Sequence, residues 1–222
     1  MSGKTFIKLI KLFLLCVIAA GANFLLNTLC VYYFKIPLFL DTVFNAAVCF
    51  TAGLFPGILT ALLSYTSLSI RNGAFDPFII CAIAELLIIW RFRPSSRFGV
   101  TGRLDSATLP ETTVTSFVSV FARLMLLYIV CCLAISLLGG IIDFVYYGLM
   151  LNTKQYFSAE DTFKIGLLQS GIPVLAMNIL SRIPVNLVDR FIVIFGGYFV
   201  SRMINKLVFP SPGNVKTPEI KR

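Results

Sequence analysis

The chain contains no histidine and few charged residues, 13% against the roughly 25% of ordinary globular domains. The missing histidines exclude the usual zinc sites, Ser-His-Asp triads and histidine proton relays. A soluble domain of 222 residues would lack the polar side chains to cover its surface, because 58% of this sequence is hydrophobic and its mean hydropathy is +0.89. Six cysteines, Cys16, Cys30, Cys49, Cys81, Cys131 and Cys132, all lie inside apolar runs, and no two form a C-x-x-C pair. In that setting cysteine acts as a small hydrophobe, so neither disulfides nor a metal cluster is expected. There is also no G-x-x-x-x-G-K-[ST] phosphate loop, no H-E-x-x-H and no G-x-S-x-G. The sequence therefore carries no engine and no hydrolytic motif, and we expect neither a cofactor nor a catalytic residue.

What remains is a series of long apolar runs separated by charge. Lys4, Lys8 and Lys11 precede the first run, Arg91, Arg93, Arg97 and Arg103 fill a central loop, and Arg202, Lys206, Lys216, Lys221 and Arg222 close the chain. Charge at the bilayer centre costs about 2.5–3.5 kcal/mol per residue, so charge placed between apolar runs is a membrane topology signal. The +9 net charge thus points to lipid surfaces rather than nucleic acid, for which no separate basic domain exists.

Because lipid offers no partner for backbone polar groups, each spanning run must be a helix of about 20 residues. Runs are expected at 9–34, 38–54, 56–70, 78–90, 116–142 and 185–209, giving an all-α polytopic membrane bundle of about six transmembrane helices over residues 1–209. Lys35-Ile36-Pro37 separates the first two, and Gly53-Leu54-Phe55-Pro56-Gly57 turns the second into the third. Residues 165–180 carry Gly166, Gly171 and Pro173 and are read as a re-entrant or outer-side piece, ended at Ser181-Arg182-Ile183-Pro184. Six spans place both basic ends in the cytoplasm of a plasma-membrane protein, whereas seven would put the tail outside. The first run outlasts a signal peptide and is expected to stay uncleaved. Residues 210–222, rich in proline and lysine, read as a disordered basic cytoplasmic tail.

Polar residues within apolar runs are the candidate site. Asn23 and Asn27, then Asp41 and Asn45, are each one helical turn apart and share a face, and Asn186 and Asp189 open the last run beside Arg190. In the six-span topology all six candidates occupy the outward half, with Tyr32, Tyr33, Phe34, Phe39 and Phe44 beside them. They either converge on a pocket for a small polar-aromatic or zwitterionic ligand or bond helix to helix, and Asp41 could equally cap its helix. Glu85 and Arg123, each in mid-run, are expected to form an intramembrane ion pair; an intramembrane enzyme built on them is the alternative.

Pro37-Leu38-Phe39-Leu40-Asp41-Thr42-Val43, Gly53-Leu54-Phe55-Pro56-Gly57 and Ile183-Pro184-Val185-Asn186-Leu187-Val188-Asp189 together resemble helices two, three and six of the substrate-binding S components of energy-coupling factor (ECF) vitamin transporters. The resemblance covers most of the hydrophobic chain through short motifs. It implies capture of a vitamin-like small organic molecule at the outer face, docking on a transmembrane coupling subunit, and energy from two cytoplasmic ATPase subunits. The absent histidines argue against nickel or cobalt as cargo. Family members dock through a small-x-x-x-small alanine pattern on the first helix, which is matched here by Cys16 and Ala20 alone, with Ala19, Gly21 and Ala22 near. The rival class is a non-transporting membrane sensor or scaffold module.

Overall fold

A computed structural model of the protein describes residues 3–35, 38–93, 113–149, 164, 166–167 and 169–208. The expected basic tail, the arginine loop beyond Arg93 and most of the polar stretch before Lys164 lie outside them. The described residues are helical, without a β-strand. Helix α1 (Gly3–Thr28) runs on into a π-helical turn, Leu29–Tyr33. Helices α2 (Val43–Ala52), α3 (Leu54–Asn72) and α4 (Ile79–Phe92) follow. Helix α5 (Thr113–Ile142) ends in a second π-helical stretch, Asp143–Leu149. The last, α6, is continuous over Val174–Val208, with a third π-helical stretch at Ile192–Gly196.

Three of the six have the length and composition to cross a membrane: Thr5–Tyr33, Phe117–Tyr146 and Val174–Val208. They make this a multi-pass helical membrane protein. The other three do not reach that length and hydropathy: α2 is shorter than the expected 38–54, whereas α3 and α4 slightly outrun the expected 56–70 and 78–90. Helix α2 has ten residues and rises only about 15 Å, half of a hydrocarbon core. It begins at Val43 rather than at 38 because Leu40 occupies a left-handed backbone conformation, φ 44°.

Pro184 does not end a helix. The proline lies inside α6, and the 174–180 piece read as re-entrant forms the first turns of the same rod. Proline removes one backbone donor and crowds the preceding turn, yet neighbouring helices in a membrane bundle can compensate. Around the preceding turn α5 packs closely through small residues. A Cβ on Gly140 would stand 2.6 Å from Ile179 Cγ1 and 2.7 Å from its Cα, so glycine is what lets α5 and α6 meet backbone to backbone. Gly53, at φ 101°, makes the tight turn that folds α2 onto α3.

The apolar core gathers Val43, Ala46, Cys49 and Phe50 of α2, Ala61 and Tyr65 of α3, Leu86 and Ile89 of α4, Leu127 and Cys131 of α5, and Val193 and Ile194 of α6. All six cysteines are buried and free. Against this core the helix ends sort into two sets. The C-terminal ends of α1, α3 and α5 and the N-terminal ends of α2, α4 and α6 meet at one end of the bundle, toward which the buried polar groups lie.

Candidate functional site

Three groups of polar side chains lie in this part of the bundle, the ionic one at mid-helix, since Glu85 is halfway along α4 and Arg190 halfway along α6. The first is neutral. Asn23 of α1 donates from Nδ2 to Asn45 Oδ1 of α2 at 2.8 Å and to Ser64 Oγ of α3 at 3.2 Å, and its Oδ1 accepts the Phe44 backbone N–H at 2.9 Å. Asn45 also donates to the Asp41 carbonyl, and all three side chains are fully buried. Such amide bonds tie helices together where no water competes.

The second group is ionic and centres on Arg190 of α6. Its Nη1 donates to Glu85 Oε2 of α4 at 2.6 Å and to Thr42 Oγ1 at 3.2 Å, while Nη2 pairs with Asp189 Oδ2. Asp189 Oδ1 accepts the backbone N–H of Leu40 at 3.1 Å, which holds that residue in its left-handed conformation. Strain of this kind costs on the order of 1–3 kcal/mol and persists only where surrounding structure enforces it. Asp41, the next residue, is buried with its carboxyl facing Asp189, Arg190 and the Tyr65 phenol. Three carboxyl groups thus surround one guanidinium, and Glu85 Oε1 and Arg190 Nε have no hydrogen-bond partner among the described residues.

The third group links α5 to α6. Asp143 Oδ2 accepts from Lys164 Nζ at 2.6 Å and from Arg182 Nε at 3.1 Å, and the Arg182 guanidinium lies over the Phe78 ring, 4.4 Å from its centroid. In the loop before α4, burial pushes the Asp76 carboxyl above its ordinary range, opposed by the Phe78 N–H that it accepts and by the Arg182 charge. Asn186 donates to Ser136 Oγ of α5 at 2.9 Å.

Of the six expected site residues, Asn23 and Asn45 bond directly, Asp41 and Asp189 share the ionic group, and Asn27 and Asn186 each stand apart with other partners. Asn27 accepts from Arg71 Nη2 at 2.8 Å and donates to the Phe39 carbonyl. Two expectations are corrected. Glu85 is paired with Arg190, not with Arg123, whose side chain is exposed on α5. Cys16 and Ala20 are 0% and 5% exposed; they face inward, with Cys16 Sγ against the Pro56 carbonyl of α3, and so offer no surface to a partner. Ser64, Arg71, Asp143, Lys164 and Arg182 join these contacts without a signal in the spacing of polar residues. Arg71 adjoins Asn72-Gly73 and looks like a loop residue, although it ends α3. The described residues include no group of three or more His, Cys, Asp or Glu side chains suited to a metal ion.

Each of the three π-helical stretches borders these polar groups: Leu29–Tyr33 follows Asn27 and Thr28, Asp143 opens the second, and Ile192–Gly196 follows Asp189 and Arg190. Such bulges recur at functional positions. Comparison with protein-family models, with curated proteins and with solved structures finds no match for the chain.

Proposed function

We propose that the chain is the membrane-embedded substrate-binding subunit of an ECF-type transporter, taking up a vitamin-like small organic molecule. In this reading the polar end faces outward in the plasma membrane, both termini are cytoplasmic, and a transmembrane coupling subunit with cytoplasmic ATPases supplies the energy. The observation that supports it most is that four of the six, Asn23 with Asn45 and Asp41 with Asp189, are brought from α1, the α1–α2 loop, α2 and α6 into two adjoining buried polar groups. Buried polar groups are expensive in a membrane bundle and concentrate where a ligand or ion is handled. The strained Leu40 backbone beside Asp41 fits the same use.

A second reading, a non-transporting sensor or scaffold, is favoured by the closure of Asn23, Asn45 and Ser64 on one another, which leaves that trio serving helix packing alone. Isolation of the full chain in mild detergent from its native membrane, followed by native mass spectrometry, separates the two. The transporter reading expects a retained small organic molecule and co-isolated ATPase subunits. It also expects Asp41→Ala to weaken retention at least tenfold while the protein stays folded. A chain with no retained molecule and no ATPase partner would leave the scaffold reading in its place.

A further inference from the structure

Three arginines, Arg190, Arg182 and Arg71, are treated differently by their surroundings. Arg190 is matched by Glu85 and Asp189, and Arg182 by Asp143. Arg71 receives only neutral oxygens. Its Nη2 donates to Asn27 Oδ1 at 2.8 Å, its Nη1 to Thr28 Oγ1 at 2.8 Å, and its Nε to Asn72 Oδ1 at 3.2 Å. Its guanidinium carbon also lies 5.2 Å from the centroid of the Phe24 ring and 4.7 Å from that of Tyr32.

This setting holds the group in place without neutralising it. Three of the five guanidinium N–H donors are spent, and one on each terminal nitrogen is left over. Among the described residues no carboxylate pairs with it, so only the weak negative end of the α3 dipole opposes its charge. Aromatic faces beside a guanidinium favour the cation and fix its plane, which reduces the cost of ordering it for a planar or tetrahedral oxyanion. Access is open, since Arg71 is only partly buried and Tyr32, Asn72, Gly73, Ala74 and Phe75 around it are exposed.

We infer that Arg71, clamped by Asn27, Thr28 and Asn72, is an oxyanion-binding site that takes a carboxylate or phosphate group, borne either by a soluble molecule or by a lipid headgroup. The site stands on its own geometry and does not depend on the transporter reading.

The test uses the full-length chain in dodecyl maltoside, with unfolding followed by a thiol-reactive dye, which the six buried cysteines make possible. Melting is measured against sodium phosphate, sodium acetate and sodium chloride at equal ionic strength, and against micelles doped with phosphatidylglycerol or phosphatidylcholine. A rise with phosphate or acetate beyond chloride identifies a soluble oxyanion as the source. A rise confined to phosphatidylglycerol identifies the lipid headgroup. Arg71→Gln is expected to abolish the rise and Arg71→Lys to weaken apparent affinity about tenfold by losing the fixed fork. The inference is overturned if no oxyanion or anionic lipid raises the wild-type midpoint above its control, or if Arg71→Gln keeps the whole rise. Should Arg71→Gln fail to fold, Asn72→Ala removes the acceptor shared by Arg71 Nε and the Tyr32 hydroxyl and must weaken the response; an unchanged response overturns the inference equally.

Discussion

The two halves of the bundle solve one problem with different chemistry. In α1–α3 the buried polar groups are mostly neutral amides and hydroxyls, Asn23, Asn45 and Ser64, which satisfy one another. In α4–α6 they are charged, with Glu85 against Arg190 and Asp189, and Asp143 against Arg182 and Lys164. A neutral network loses little when one member is removed, because the alternative is a modest unpaired dipole. An ionic one loses much, because the partner left behind is a bare charge in low dielectric. The first half is therefore tolerant and the second half is not.

The largest effect should follow from Arg190→Leu, which strands Glu85 and Asp189 together in the interior. A loss of about 3–5 kcal/mol is expected, read as a large fall in the thermal midpoint, and Glu85→Leu on that background should recover part of it. Equal midpoints for Arg190→Leu and wild type would dissolve the contrast between the halves. Next comes Gly140→Val, whose added atoms meet Ile179 on the facing helix; about 1–3 kcal/mol should be lost through separation of α5 from α6. In the neutral half, Asn23→Leu should cost only about 0.6–2 kcal/mol, the range of interhelical hydrogen bonds in bilayers. If chemical denaturation in mixed micelles ranked Asn23→Leu above Arg190→Leu, the comparison would be inverted. At the small end, Arg123→Gln should not lower the thermal midpoint, as its side chain is exposed on a membrane-spanning helix and Glu85 has another partner.

Much of the architecture was legible from hydropathy alone. The helices, the Gly53 turn and the gathering of Asn23, Asn45, Asp41 and Asp189 at one end follow from run lengths and alternating direction. Partner identity was not legible. Glu85 meets Arg190 instead of Arg123 because pairing depends on how each helix is rotated about its axis, a quantity that one-dimensional spacing leaves open. Rotation also decides that Cys16 and Ala20 turn inward. Pro184 differs for another reason: its cost is real, yet the helix runs through it, and the close approach of Gly140 to Ile179 that accompanies this joins residues distant in the chain. Arg71 escaped notice because a helix-ending arginine before Asn-Gly reads as punctuation, and its significance comes from which acceptors surround it.

The unbroken α6 has a consequence for how the molecule sits in its bilayer. Its 35 residues extend about 52 Å, while the hydrocarbon layer is about 30 Å thick and tilts above about 40° are rare. A straight rod at such tilt would still overshoot the oil on at least one side. The segment therefore bends at Pro184 or at the Ile192–Gly196 bulge, or it carries whole turns into the headgroups. Arg202 and Lys206 on its last stretch are suited to that second medium. With the bend at Pro184, the stretch from Asp189 to Lys206 stays one lever, and a tilt of a few degrees at Asp189 becomes a displacement of ångströms at Lys206.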